Sequence, residues 1–112
     1  MTLAISRNEI LQTEEELYVR AKRDRTVRAK LALEHAPLVK HIARQYLRRG
    51  VEYNDLVQEG MIGLMRAIDL FDPTLGYQFS TYAAYWVRQA IQRAIWRSAP
   101  VRIPKEKRDR VL

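Results

Sequence analysis

The stretch from Leu75 to Trp96 most limits how this chain can fold, because it predicts one long helix with two unlike faces. Gly76 can adopt the left-handed turn that other residues rarely take, and Ser80 or Thr81 can cap the helix that follows. At about 100° per residue, one face is small and aliphatic, comprising Ala84, Val87, Ile91, Ala94 and Ile95. The opposite face combines rings with amides and a guanidinium, comprising Tyr82, Tyr85, Trp86, Gln89, Gln92, Arg93 and Trp96.

An aromatic stripe on a helix usually belongs to a hydrophobic core. Here the helix already has an aliphatic side to bury, and burying the other side as well would leave amides and an arginine without partners. Rings that stack on bases, amides that bond to base edges and arginines that meet phosphates are typical of nucleic-acid recognition. We therefore expect the aromatic face to be an exposed binding surface.

Composition supports a polyanionic partner. The chain carries a net charge of +7, and fifteen of its twenty basic residues are arginine, which suits phosphate oxygens. Eight basic residues against two acidic ones lie between Arg88 and Arg110, although a generally solvated basic surface would give the same count. The 112 residues suffice for one core, and the absence of cysteine and of any long apolar run leads us to expect a soluble, cytoplasmic protein.

Helix signals divide the rest of the chain. Thr13, with a glutamate three residues later, forms a capping box, and Asp24 can cap a second helix. Pro37 predicts a kink or break at residues 35–36, and Gly50, after two arginines, predicts a helix end. No strand alternation is present. The sequence predicts an all-α fold, a compact helical bundle of three to five helices.

A further helix is predicted from Asp55 to Leu70, capped by Asn54. Gly60 and Gly63 lie inside it and indicate close approach of another helix. Its inner stripe would be Val57, Met61, Leu64, Met65 and Ile68. Its outer stripe, acidic at the start, would be Asp55, Gln58, Glu59, Ile62, Arg66 and Asp69, which is either a solvated face or a surface for a partner's basic helix.

Residues suited to catalysis are few. His35 and His41 are six residues apart with a proline between them, which places them on different helix faces. The sequence contains neither a glycine-rich phosphate loop nor a triad-like set. We expect a binding protein that is not an enzyme and that uses no metal and no cofactor.

Two ordered strings, DLVQEGMIGLMRAIDLF at residues 55–71 and GYQFSTYAAYWVRQAIQRAI at residues 76–95, resemble region 2 of the bacterial RNA polymerase sigma factors of the sigma-70 family. The similarity runs from about Asp24 to Pro104 and is to the primary and primary-like members. It implies a helical preface at residues 1–23, a region 2 core at 24–98 and the start of the following linker at 99–112. It also implies a promoter-recognition domain that docks on the coiled coil of the polymerase β′ subunit and captures the minus-ten element as it melts.

By this resemblance, each functional residue has an expected role. The β′ coiled coil would contact Asp55, Gln58, Glu59 and Met65. The upstream, still paired edge of the element would meet Gln89 and Gln92, and the wedge at the fork would be Tyr85 and Trp86. The flipped-out adenine of the non-template strand would stack on Tyr82, in a pocket that includes Phe71 and Asp72. The path of the separated strand would be lined by Tyr77, Phe79, Ser80 and Thr81, and the remaining expected DNA contacts are Arg88, Arg93 and Arg102.

Five positions depart from the primary pattern, which points toward an alternative or divergent sigma factor: His35, Met61, Leu75, Tyr85 and Gln92. Two other functions stay open. The chain could be a sigma mimic that binds polymerase or an anti-sigma protein without reading promoters, or a general basic nucleic-acid binder.

Overall fold

Five α-helices and one short 3-10 turn form the regular structure of residues 14–98, the part of the chain that the computed structural model describes. They are α1 (Glu14–Ala21), α2 (Arg25–Glu34), α3 (Ala36–Arg44), α4 (Tyr53–Leu70), the 3-10 turn (Pro73–Leu75) and α5 (Phe79–Ser98). The all-α prediction is confirmed. Among the described residues, no helix has both the length and the apolar character needed to cross a membrane.

The two predicted breaks in the first half of the chain are present. The Asp24 carboxylate accepts hydrogen bonds from the backbone N–H groups of Thr26 at 2.9 Å and Val27 at 3.4 Å, so it caps α2 as expected. Pro37 lies in the first turn of α3, where its missing N–H costs nothing because the first N–H groups of a helix have no partner within it. The chain bends at His35, between the two helices.

Several predicted helix limits are wrong. α3 ends at Arg44, and the chain continues through turns to Gly50, whose φ of 96° is left-handed. α4 begins at Tyr53, one residue before the predicted cap, and Glu52 at its start makes no side-chain capping bond. The predicted cap Thr13 lies outside the described residues.

The start of α5 also differs from the prediction. Gly76 has the expected left-handed φ of 90°, but the helix begins at Phe79, so Ser80 and Thr81 lie within its first turn. The Phe79 ring packs 4.6 Å from Tyr18 and 5.1 Å from Phe71, measured between ring centroids. The helix therefore begins at a buried ring, and the residues predicted to cap it lie inside it.

α4 and α5 pack together as an antiparallel pair. Gly60 faces Val87 and Ile91, whereas Gly63 faces Trp86 and Ala90, so the start of α4 lies beside the end of α5. A methyl group added at Gly63 would lie 2.5 Å from the backbone oxygen of Trp86, closer than any such contact allows. The prediction that the two glycines permit close helix approach is confirmed.

The core lies between this pair and the first three helices. Its largest buried side chains are Tyr18, Val39, Ile42, Leu56, Leu64, Ile68, Phe71, Phe79, Val87 and Ile91. Leu64 and Ile68 of the predicted inner stripe are buried, but Val57, Met61 and Met65 are only partly buried, and Leu56 is buried instead. The buried side of α4 is therefore rotated relative to the prediction. Tyr18 of α1 also belongs to this core.

Candidate nucleic-acid interface

An aromatic cluster with two layers joins the end of α4 to the start of α5. The lower layer, Tyr18, Phe71 and Phe79, is buried, and Phe71 and Phe79 are only 2% and 1% exposed. The upper layer is Tyr77 and Tyr82, whose rings stack at a centroid distance of 5.8 Å. Phe71 supports both, at 6.0 Å from Tyr77 and 5.4 Å from Tyr82.

Two of the rings predicted to contact DNA are buried. Phe79 and Phe71 are almost fully enclosed, so neither ring lines an open path along the surface. Phe71 contacts both tyrosines, whereas Phe79 packs against Phe71 and Tyr18 behind it. In the upper layer, Tyr77 is 45% exposed and Tyr82 is half-buried, so these two rings are the accessible part of the cluster.

The loop under the tyrosines is fixed by short polar contacts. The Asp72 carboxylate accepts hydrogen bonds from the Thr74 hydroxyl at 2.6 Å and the Thr74 backbone N–H at 3.0 Å. These bonds, the hydroxyl first, hold the pKa of Asp72 below its usual value. The Lys22 ammonium also donates a hydrogen bond to the backbone carbonyl of Phe71, at 3.0 Å. Asp72 thus lies exposed in the turn directly after Phe71.

The aromatic surface continues along α5. Tyr82 meets Trp86 at 6.3 Å, and Tyr85 stands nearly perpendicular to Trp86, at 5.9 Å and 86°. Tyr85 is 58% exposed, whereas Trp86 is half-buried. The predicted aliphatic face is turned inward, with Val87, Ile91 and Ala94 buried. The structure therefore buries most of the aliphatic face, whereas on the aromatic face Tyr85 and Trp96 are exposed and Tyr82 and Trp86 are half-buried.

Beside Trp86 lies a small polar groove of about 150 Å³ between α4 and α5. The Trp86 indole N–H is buried and has no hydrogen-bond partner among the described residues. The groove is lined by Ile62, Gly63, Arg66, Trp86, Gln89, Ala90 and Arg93. Two arginines and a glutamine thus line one groove, and their guanidinium and amide N–H groups are donors suited to an anion such as phosphate.

Arg66 is the residue in this groove that sequence reasoning missed. Its guanidinium carbon lies 5.8 Å from the centre of the Trp86 ring, a cation–π arrangement. We assigned Arg66 to the acidic stripe of α4 and gave it no DNA role. The missed signal was Gly63, since a glycine three residues before Arg66 lets α5 approach that side of α4.

The other predicted DNA contacts lie on α5 or outside the described residues. Ser80 and Thr81 are exposed at the start of α5, and Arg88 is half-buried. Gln92 is exposed, and its amide donates a hydrogen bond to the Tyr46 hydroxyl at 2.9 Å. Arg102 lies outside the described residues.

The predicted docking residues lie at the opposite end of the helix pair. Asp55 and Gln58 are exposed, and the Glu59 carboxylate pairs with Arg97 at 3.3 Å. Together they line a shallow cavity of about 210 Å³ with Val51, Ala94, Arg97 and Ser98. Met65 lies further along α4, half-buried against the core. The antiparallel packing therefore brings three of the four predicted docking residues together and separates them from the aromatic cluster.

The two histidines have separate surroundings. The His35 Nδ1 lies 2.9 Å from the Leu31 carbonyl, and His41 lies against Gln45. Within residues 14–98, no three histidine, aspartate or glutamate side chains are close enough to hold a metal ion.

Comparison with known proteins identifies the family. Residues 31–99 match the protein-family model described as Sigma-70 region 2. The chain belongs to this family. The match covers α3, α4 and α5 and the last four residues of α2, and therefore all of the aromatic cluster except Tyr18.

Individual sigma factors are also similar to this chain. The chain is 48% identical over 82 residues to the RNA polymerase sigma factor SigA of Synechocystis sp., a match that covers 72% of this chain and 19% of that protein. It is 51% identical over 75 residues to the RNA polymerase sigma-B factor of Nostoc sp., covering 66% of this chain and 23% of that protein. It is 53% identical over 75 residues to the RNA polymerase sigma factor SigA of Lactococcus lactis subsp. cremoris, a match that covers 66% of this chain and 21% of that protein. This region 2 chain thus spans about a fifth of each of these relatives.

Proposed function

We propose that this chain is a promoter-recognition domain that binds RNA polymerase and captures the separated non-template strand of the minus-ten element. The observation that carries the proposal is the tyrosine layer, in which exposed Tyr77 and half-buried Tyr82 stack on each other and lie against the buried ring of Phe71. A surface ring held from below offers a flat face without further ordering, so little conformational entropy is lost when a base stacks on it.

The free energy gained when a base stacks on a tyrosine is similar in size to the cost of extruding that base. Extruding a base costs a few kcal/mol of unstacking and unpairing, and stacking on a tyrosine returns about 1–3 kcal/mol. Asp72, which is exposed and follows Phe71 in the chain, would add a carboxylate that can accept a hydrogen bond from a base amino group. Such capture needs no ATP, so the proposed role is one of binding without catalysis, metal or cofactor.

The other residues of the aromatic face would contact the DNA during the same strand separation. Tyr85 and Trp86 would form the wedge at the fork, and Ser80 and Thr81 would border the separated strand. Arg93, with Arg66, would hold a phosphate in the groove beside Trp86. Arg88, Gln89, Gln92 and Arg102 would meet the DNA upstream.

The acidic end of the helix pair is proposed as the polymerase contact. Asp55, Gln58 and Glu59 lie together at the start of α4, and the proposal assigns them, with Met65, to the coiled coil of the β′ subunit. A partner that binds there must compete with Arg97 for Glu59 or leave that pair intact. The proposed site of action is the cytoplasm, where polymerase and promoter DNA meet.

The second candidate is a sigma mimic that occupies polymerase or an anti-sigma protein without reading DNA. The same acidic cavity favours it, because this function needs only the docking residues.

Substitutions at the two ends of the helix pair distinguish the candidates. A promoter duplex with 2-aminopurine at the second base of the minus-ten element, mixed with core polymerase and the chain, becomes fluorescent when that base unstacks. The proposed function predicts that Tyr82→Ala removes the fluorescence rise but leaves polymerase binding intact, whereas Glu59→Gln combined with Gln58→Ala removes both. Glu15→Gln, an exposed acid on α1, is the matched control and should change neither. An unchanged signal in Tyr82→Ala, or no signal from the unaltered chain, contradicts promoter opening and leaves the mimic.

A further inference from the structure

Gln92 is held by a residue from a distant part of the chain. Its side-chain Nε2 donates to the hydroxyl oxygen of Tyr46 at 2.9 Å, across 46 positions of sequence. Tyr46 lies just beyond the end of α3 and packs partly against the core, so its ring is not free to move. The Arg49 guanidinium covers this ring at 5.3 Å from its centre. The left-handed residues Arg48 and Gly50, on either side of Arg49, belong to the turn that brings it back over Tyr46.

This hydrogen bond decides what the Gln92 amide offers to a ligand. A glutamine amide carries one acceptor oxygen and two N–H donors, and an unheld amide can turn either end outward. With one N–H bound to Tyr46, the oxygen and the second N–H remain for a partner. They face an open cavity of about 460 Å³ that is lined by Tyr46, Arg49, Gln92, Ile95 and Trp96.

An acceptor next to a donor matches one base edge in the major groove. Adenine presents the N6 donor beside the N7 acceptor, whereas guanine presents two acceptors, cytosine one donor and thymine one acceptor with a methyl group. A glutamine whose amide is fixed in one orientation therefore favours adenine more than a freely rotating one does.

We propose that Tyr46 is a positioning residue that sets the base preference of Gln92 and directs it to the adenine of the last base pair upstream of the fork. This inference rests on the proposed function, because it assumes that α5 lies against promoter DNA. Tyr46 itself touches no base in this scheme and acts only through the amide. Arg49 and the 64% exposed Trp96 border the same cavity and would contact backbone or sugar without selecting a base.

Tyr46→Phe tests the proposal, because it removes the hydroxyl and keeps the ring. Fork DNAs that differ only in the last paired position, with each of the four base pairs in turn, are titrated with the full chain. The unaltered chain should favour the forks that place adenine opposite Gln92, and Tyr46→Phe should reduce that preference by about twofold to tenfold, the range of one hydrogen bond. Tyr53→Phe, another half-buried tyrosine that packs against the core, should leave the preference unchanged.

A double substitution separates positioning from a general structural role. Gln92→Ala alone should remove the preference at this base pair, and Tyr46→Phe should then have no further effect. The inference is overturned if Tyr46→Phe keeps the full preference, or if it weakens all four forks equally. A chain that still prefers a minus-ten single strand but shows no preference among the four forks overturns this inference alone. A chain that binds every DNA equally overturns the proposed function as well.

Discussion

Gly63 is a residue at which the contact between α4 and α5 depends on the absence of a side chain. An added methyl would lie 2.5 Å from the Trp86 carbonyl oxygen and 2.8 Å from the Ala90 Cβ, neither of which can rotate away. At Gly60 the nearest atom is the Val39 Cγ1 at 2.7 Å, part of a side chain that can shift. The two glycines therefore differ in how much a substitution should cost.

We predict that Gly63→Ala destabilises the protein although alanine favours a helix by about 1 kcal/mol over glycine. Overpacking against backbone costs about 1–3 kcal/mol or more, so the net change should be a loss of stability. Gly60→Ala is the matched control and should cost less. Urea unfolding measures both, and a Gly63→Ala variant as stable as the unaltered chain would contradict the close approach of α4 and α5.

The loop below Tyr82 supports a prediction about acid pH. Since hydrogen bonds from Thr74 lower the Asp72 pKa in the folded state, the ionised carboxylate stabilises the turn above the ordinary aspartate pKa. That contribution is lost as the pH falls through the lowered value. Thr74→Val removes the hydroxyl donor, so the Asp72 pKa should rise toward its ordinary value in a carbon-detected NMR titration. An unchanged Asp72 pKa would show that the Thr74 hydroxyl does not hold the carboxylate.

At the scale of the helix, periodicity predicted which side of α5 is buried but not where the helix begins. The 3.6-residue repeat follows from local geometry, so the aliphatic face could be read from the chain alone. At the start of the helix, the Phe79 ring packs against Tyr18 and Phe71. These residues are distant from Phe79 in sequence, so no local sequence pattern contains the contacts. The burial of Phe79 and the groove formed by Arg66 were missed for the same reason.

The two faces of α5 should respond oppositely to truncation. Val87→Ala removes a fully buried side chain and should lower the free energy of unfolding by about 1–3 kcal/mol. Tyr85→Ala removes an exposed ring and should change stability by less than about 0.5 kcal/mol. Fork-DNA binding should instead weaken by about 1–3 kcal/mol in Tyr85→Ala, the value of one stacked ring. Chemical unfolding and DNA titration of both variants check this, and a large stability loss in Tyr85→Ala would place its ring in the core.

Across the whole molecule, the antiparallel pair separates two surfaces of different charge. The acidic cavity, with Asp55 and Glu59, lies where α4 begins and α5 ends, while the tyrosine layer lies where α4 ends and α5 begins. The net charge of +7 attracts a polyanion over the molecule as a whole, but it carries no sequence information. In the proposed function, selectivity comes from the tyrosine layer and the α5 face, and this division is the central claim.

The most direct test is the affinity of the chain for a short fluorescent single strand containing TATAAT, compared with the same strand altered only at its second base, over a range of salt concentrations. The account predicts that both strands lose affinity as salt rises, because phosphate contacts release counterions. It also predicts that at every salt concentration the TATAAT strand binds more tightly, because its second base stacks on Tyr82. Equal affinity for the two strands, with the same salt dependence, would show that the aromatic surface does not read a base and would contradict the account.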